Sequence, residues 1–358
     1  MDRAKQEILL LANSGTQTVK LVDRTFNANK ERAKEIWRFI ISEQGKGIPK
    51  GVCFHFEIAG DILDEESISN LNSAPKGSMQ LEIGLQSFNE QTLAAVNRKT
   101  NTERLKTNIQ KLVSPKNIHI HIDLIAGLPY EDLSSFIQSF NIAYSLAPNM
   151  LQLGFLKLLH GAAMREEPEK YPCTFHDYPP YEVIATPWTD EAVLIRLHQV
   201  EDALERLANS GRFYQTLAYV LSATGLSSFE LFDGFGSFIA DKINPFVSLD
   251  TYTEFSYHYF RSLKGVEEPV LKDKMIYDRL ASNSSGKLPD VLKVSEPAIK
   301  KIRLSIESDK NYRRKPNVKR GFALLSSEKA AIFVDYIEKD PVTGLYPIQK
   351  VFYDPNNL

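Results

Sequence analysis

From residue 4 to about 156 the chain alternates two hydrophobic periods. Apolar residues at three-and-four spacing predict helices over 4–13, the ERAKEIWRFI stretch, 65–72, 103–113 and 131–147. Between them, short β-branched or alternating runs predict strands over 18–22, 52–58, 79–84, 118–125 and 150–156. Gly15 is placed to close the first helix, and Asn27 or Asn29 to cap the second. Strand–helix alternation at this rhythm implies right-handed crossovers and a parallel sheet, as an open doubly wound sheet or part of a barrel. The polar residues inside the strands favour the barrel. Parallel strands covered on both faces read as unbroken apolar runs. Here His55 and Glu57 share one face, as do His119, His121 and Asp123, with Glu82 in the strand between. Such a row belongs on a face that looks into a solvated or ligand-filled lumen.

Residues 190–280 read as helices, among them DEAVLIRLHQVEDALERLANSG, ended by Gly211. Their phenylalanines and tyrosines fall at core spacing. Residues 284–292 read as a linker, and GFALLSS, KAAIFVDYI and YPIQKVFYD as a β tail with a DPVTG turn. The expected organisation is an incomplete (β/α)6 partial TIM-type barrel over 1–165, a mostly helical region over 166–283, and a linker with a small β tail over 284–358.

Composition adds exclusions. The 358 residues are 43% hydrophobic and 25% charged with net charge −2, so nothing global points to nucleic acid or an acidic membrane. The basic run from Lys310 to Arg320 reads as a solvated loop. No apolar stretch approaches a membrane span and no secretory pattern opens the chain. Two distant cysteines, Cys53 and Cys173, exclude a disulfide scaffold and a four-cysteine metal site, and suit a reducing cytoplasm. No G-x-G-x-x-G, G-K-[ST] or nucleophile elbow follows a strand. His119, His121 and Asp123 leave open a metal-dependent barrel hydrolase, although histidines in strands are more often hydrogen-bonded interior groups.

Five segments in order resemble the radical-SAM family, in the branch with an N-terminal cobalamin-binding domain: VKLVDRTFN, HFEI, EIGLQSFNEQTLAAVNRKT, DLIAGLPYED and LGFLKLLHGAAMRE. Downstream, PPYEVIATPW and NSGRF resemble the uncharacterised domain that follows the barrel in that branch. The resemblance implies an enzyme that binds S-adenosylmethionine (SAM), a 4Fe–4S cluster and cobalamin, for radical methylation or another hydrogen-abstraction chemistry. It places Glu82, Gln86 and Ser87 at the ribose, Arg98 at the methionine carboxylate, Asp23 and Arg24 at the methionine amino group, and Gly127 and Pro129 at the adenine wall. Glu57 points to the lumen, where it could touch SAM or substrate, and Lys157 and His160 end the last strand, where a substrate contact is open but unassigned. An alternative local reading of Asp23 is an ion pair with Arg24.

The chain departs from the family in one respect. The C-x-x-x-C-x-x-C motif, which supplies three thiolates to the cluster, is absent, as is the cobalamin domain. The expectation is therefore a version truncated before the second barrel strand, which pairs with a separate N-terminal polypeptide or is marginally soluble alone. The alternative is a non-catalytic remnant that binds SAM-like ligands or a partner chain.

Overall fold

A computed structural model of the chain describes residues 1–242, 247–293, 299–308 and 317–353. They fall into two compact units, Met1–Glu201 and Asp202–Leu358.

The first unit opens with α1 (Asp2–Ala12), β1 (Thr18–Leu21), α2 (Lys30–Glu43), β2 (Cys53–Ile58) and α3 (Glu65–Asn72). It continues with β3 (Met79–Gln86), α4 (Glu90–Ala95), α5 (Thr102–Val113), β4 (His119–Ala126), α6 (Leu133–Ser145) and β5 (Met150–Phe155). The five strands are all parallel and lie in the order β1-β2-β3-β4-β5. Each crossover moves one place the same way, so the sheet has no topological switch point. It is the arc of a barrel, not a doubly wound sheet.

The strands show why one face is wet. Phe54, Phe56, Leu81, Ile120, Ile122 and Leu124 are fully buried, whereas the alternate positions carry the polar residues and, His121 apart, stay partly exposed. Helix entries are fixed by side-chain caps: Asn29 accepts from the Arg32 amide, Asp64 from Ser67, Asn101 from Arg104 and Asp132 from Ser135. Asn29, not Asn27, is thus the cap of α2; the Asn27 side chain instead brackets the Ala59 backbone. Helix α1 ends at Ala12, before Gly15, where the Asn13 amide and side chain both donate to the Leu9 carbonyl.

After β5 come α7 (Ala163–Glu166), β6 (Thr174–Phe175), β7 (Val183–Ala185) and α8 (Glu191–Leu204). The chain returns to the end of β5: Leu158 N donates to Tyr181 O, and Val183 N to Leu156 O, each at 2.9 Å. That pairing holds residues 166–201 to the barrel, so the division falls at Glu201 rather than at the residue 165 expected from the sequence.

The second unit contains α9 (Tyr214–Thr224), α10 (Ser228–Ile239), α11 (Leu249–Ser262), α12 (Glu268–Ser282) and α13 (Ile299–Ser308). An antiparallel sheet follows, β8 (Arg320–Leu325), β9 (Ala330–Asp335) and β10 (Ile348–Phe352), with β9 central. The helices and the β tail, expected as separate regions, share this one unit. Helix α13, which sequence patterning did not predict, seats Ile302 and Ile306 on Leu324, Ala331 and Phe333. Most of the basic run after Ser308 lies outside the described residues. Among the described residues no helix is long and apolar enough to cross a membrane.

Candidate functional site

The polar face of the parallel sheet carries a continuous row of side chains. Strand register sets Lys20 beside His55, Glu57 beside Glu82, Glu82 beside His121, and Asp123 beside Gln152. The Lys20 ammonium lies 3.1 Å from Glu57 and 3.3 Å from Glu82, and His55 Nε2 lies 2.7 Å from Glu82 Oε2. His121 Nε2 stands 2.9 Å from Asp123 Oδ1, at ion-pair distance though without hydrogen-bond alignment. Burial alone would raise the Glu82 carboxyl, yet His55, Lys20 and His121 outweigh it and hold the group below its ordinary range. Burial likewise opposes protonation of His121, but Asp123 and Glu82 prevail and raise its affinity for a proton. Three carboxylates thus face one lysine and two histidines along the row.

Arg98 follows α4 and turns back over β3. Its Nη2 donates to the Gly84 carbonyl at 2.7 Å, and burial lowers its pKa against the pull of Asp61 and Asp123. A Cβ at Gly84 would lie 3.1 Å from the Gln86 amide nitrogen and 3.4 Å from Arg98 Nη2, so a larger residue there would press on the ends of both side chains. Gln86 itself has φ +72°, where the β3–β4 register shifts.

Beyond β3, a buried knot ties two loops together. Ser87 Oγ donates to Glu131 Oε1 at 2.5 Å and Ser139 Oγ to the same oxygen at 3.2 Å. Asn89 Nδ2 donates to the Tyr130 carbonyl at 3.0 Å, and Thr189 Oγ1 to the Glu131 carbonyl at 2.9 Å. Glu131 is 2% exposed, and burial pushes its carboxyl up to about 7 in spite of the two hydroxyls.

The predicted residues divide accordingly. Glu57 and Glu82 join the row, and Gln86 and Arg98 meet above β3. Ser87 is completely buried and bound to Glu131, which places it in the support of the loop. Asp23 pairs with Arg32 of α2 at 2.7 Å rather than with Arg24, which is exposed. Gly127, at φ +83°, makes the bend after β4 that precedes Pro129. The Lys157 backbone pairs antiparallel with that of Glu182, and the His160 ring meets Tyr181 edge-on at 5.1 Å. Sequence reasoning missed Lys20, Glu131 and the pair of Glu182 with His198 at 2.8 Å. Only Glu131 left a sequence signal, inside the LPYED run.

A 4Fe–4S cluster does not fit the residues present. Cys53 opens β2 and Cys173 directly precedes β6, and burial raises both thiols, Cys53 to about 11. Among the described residues no group of three potential ligands is gathered for a metal, in the His119–Asp123 strand or elsewhere.

A model described as the radical SAM superfamily matches residues 1–143, and one described as a protein of unknown function (DUF4080) matches residues 169–338. No curated protein matches the chain. Similar solved structures include the radical S-adenosylmethionine methyltransferase TsrM from Kitasatospora setae, with cobalamin and a 4Fe–4S cluster bound. It is 17% identical, with a TM-score of 0.37, over 43% of this chain and 30% of that one. The coproporphyrinogen III oxidase HemN from Escherichia coli, described as a radical SAM enzyme, is 16% identical with a TM-score of 0.37, over 56% of this chain and 50% of that one. The chain thus spans from under a third to half of the length of these structures. Over residues 1–143, which hold strands β1–β4, the chain is similar to the radical SAM superfamily.

Proposed function

We propose that the polar face of the barrel arc binds SAM, and that the chain works as the SAM-holding part of a radical-SAM enzyme. The observation that carries this reading is the pairing of an anionic strand row with a guanidinium held just above it at Gly84. Glu57 and Glu82 suit the cationic amine and sulfonium groups, and Glu82 or Gln86 the ribose hydroxyls. Arg98 has donors beyond the one given to Gly84 for a carboxylate, which a planar guanidinium grips with parallel bonds. Gly127 and Pro129 shape the turn against which adenine packs. Ser87 and Glu131 act behind these contacts by fixing the loop. Bound SAM beside a reduced cluster would supply radical chemistry; no radical step is assigned to residues of this chain.

The cluster and cobalamin would be held by residues other than those described. Strand β1 has β2 on one side and no described strand on the other, so its free edge offers the backbone groups a further parallel strand needs. The lack of three gathered thiolates favours a second reading, in which the arc binds SAM or a partner without catalysing a reaction. Anaerobic calorimetry with SAM tests the common core. Saturable binding that weakens at least tenfold in Arg98→Ala supports the site; heat that is absent at millimolar SAM removes both readings.

A further inference from the structure

His121 differs from the rest of the polar row in how little water reaches it. Glu57 keeps 35% of its side chain exposed and Asp123 17%, with Glu82 between them, so the three carboxylates are open to a ligand on this face. The His121 side chain keeps 8%, and its Nε2 is closed to water with no hydrogen bond aligned to it. A positive charge on this ring is hardly screened by solvent and depends on the carboxylates next to it.

Those neighbours come from all three adjoining strands. Asp123, on β4 itself, stands 2.9 Å away, and register sets Glu82 of β3 and Met150 of β5 beside the histidine. The Gln152 side chain of β5 also favours the protonated ring, and His119 precedes it by two residues on the same strand face. One step further out, Glu82 meets His55 at 2.7 Å and Lys20 at 3.3 Å, Lys20 meets Glu57 at 3.1 Å, and Asp123 acts on Arg98. Burial works against a proton on His121, but Asp123 and Glu82 overcome it and raise the ring above its ordinary value of 6.5.

The carboxylates that keep this proton are the ones a cationic ligand on the face would use. A fixed positive charge at Glu82 would repel the imidazolium at short range and take over part of the attraction that holds its proton. Proton on the ring and cation on the face therefore compete for the same anions.

We propose, on the reading that this face binds SAM, that His121 is the proton-exchanging member of the row: a sulfonium that settles at Glu82 expels the proton from the His121 ring to solvent. SAM then binds more tightly as pH rises. Below the His121 pKa of the SAM-bound protein, free and bound forms both carry the proton and affinity stays at its low level. It climbs with pH and levels off above the His121 pKa of the free protein.

Calorimetry of the full chain with SAM, repeated in buffers of different ionisation heat, counts the protons released. The wild type should release about half a proton or more per SAM near pH 7, and its affinity should rise about tenfold between about pH 5.5 and 7.5, the effect of one unit of pKa. His121→Gln should still bind SAM, with the release abolished and the pH dependence flattened. Because that change lies inside the sheet, an NMR titration of histidine-labelled wild type gives an independent reading: SAM should lower the His121 pKa by about one unit. SAM binding without proton release, release unchanged in His121→Gln, or a His121 pKa that SAM leaves in place overturns the exchange while SAM binding itself stands. Heat that is absent at millimolar SAM at every pH overturns SAM binding and the exchange with it.

Discussion

Ser87 and Glu131, 44 residues apart, meet through a 2.5 Å hydrogen bond in a site closed to water. The bond joins the loop after β3, which follows Gln86, to the loop after β4, which contains Gly127. Its energetics depend on pH. Burial raises the Glu131 carboxyl from 4.5 to about 7, so the folded chain keeps a proton that the unfolded chain has lost. Below the unfolded value both states are protonated and nothing is lost. As pH rises toward 7 the unfolded state binds fewer protons, and stability falls by on the order of 3 kcal/mol. Glu131→Gln retains an acceptor for Ser87 without a charge to desolvate. Denaturant unfolding should therefore show the variant and the wild type within about 1 kcal/mol at pH 5, with the variant more stable by roughly 2–3 kcal/mol at pH 8. Parallel stability curves across that range would mean that Glu131 ionises at no cost.

One of the two histidines of the polar row, His121, offers a spectroscopic test. Asp123 and then Glu82 raise the affinity of His121 for a proton against the effect of burial. A group raised in this way stabilises the fold below its unfolded pKa, and that contribution disappears as pH climbs through the folded value. In an NMR titration, Asp123→Asn should lower the His121 pKa more than Glu82→Gln does. The reverse order would place the dominant partner on β3 instead of β4.

Gly127 is a backbone test of the bend after β4. A Cβ there would meet Leu156, Leu194 and Val183 no closer than 3.7 Å, so space is adequate. The conformation is the obstacle: φ is +83°, in the left-handed region. Gly127→Ala should cost about 1–2 kcal/mol by denaturant unfolding. No loss of stability would mean that the turn readjusts to an ordinary conformation.

The sequence made the barrel legible because period-two and period-3.6 patterns switch cleanly there. The helix over 65–72 has its predicted bounds, and β3 and β4 extend only slightly beyond theirs. Helix α4 escaped notice because six residues are too few to display a period. Helix α13 did show apolar residues at three-and-four spacing, Ile299, Ile302 and Ile306, but it lay between segments that read as linker and tail. The site was legible only as a list of polar residues on strands. Which of them pair depends on register and on distant loops: Lys20 reaches Glu57 and Glu82 across neighbouring strands, and Asp23 takes Arg32 because α2 folds back beside it. Glu131 was hidden for the same reason, since both hydroxyls that bind it come from other parts of the chain.

The free edge of β1 leads to a prediction about association. Helix α1 lies against that strand, and Leu10 is 72% exposed, Leu11 50% and Val22 86%. An edge with unpaired backbone groups beside exposed aliphatic side chains is a template for another chain. Sedimentation velocity should show concentration-dependent self-association of the purified protein. Combining Leu10→Lys, Leu11→Glu and Val22→Lys should suppress it, while thermal stability changes by no more than about 0.5 kcal/mol, as expected for exposed positions. Those charges would also obstruct a partner strand, so the variant should lose any capture of a cluster-bearing polypeptide while it still binds SAM. A wild-type chain that stays monomeric at high concentration would show that the edge is covered from within the chain, and would withdraw support from a partner strand at β1.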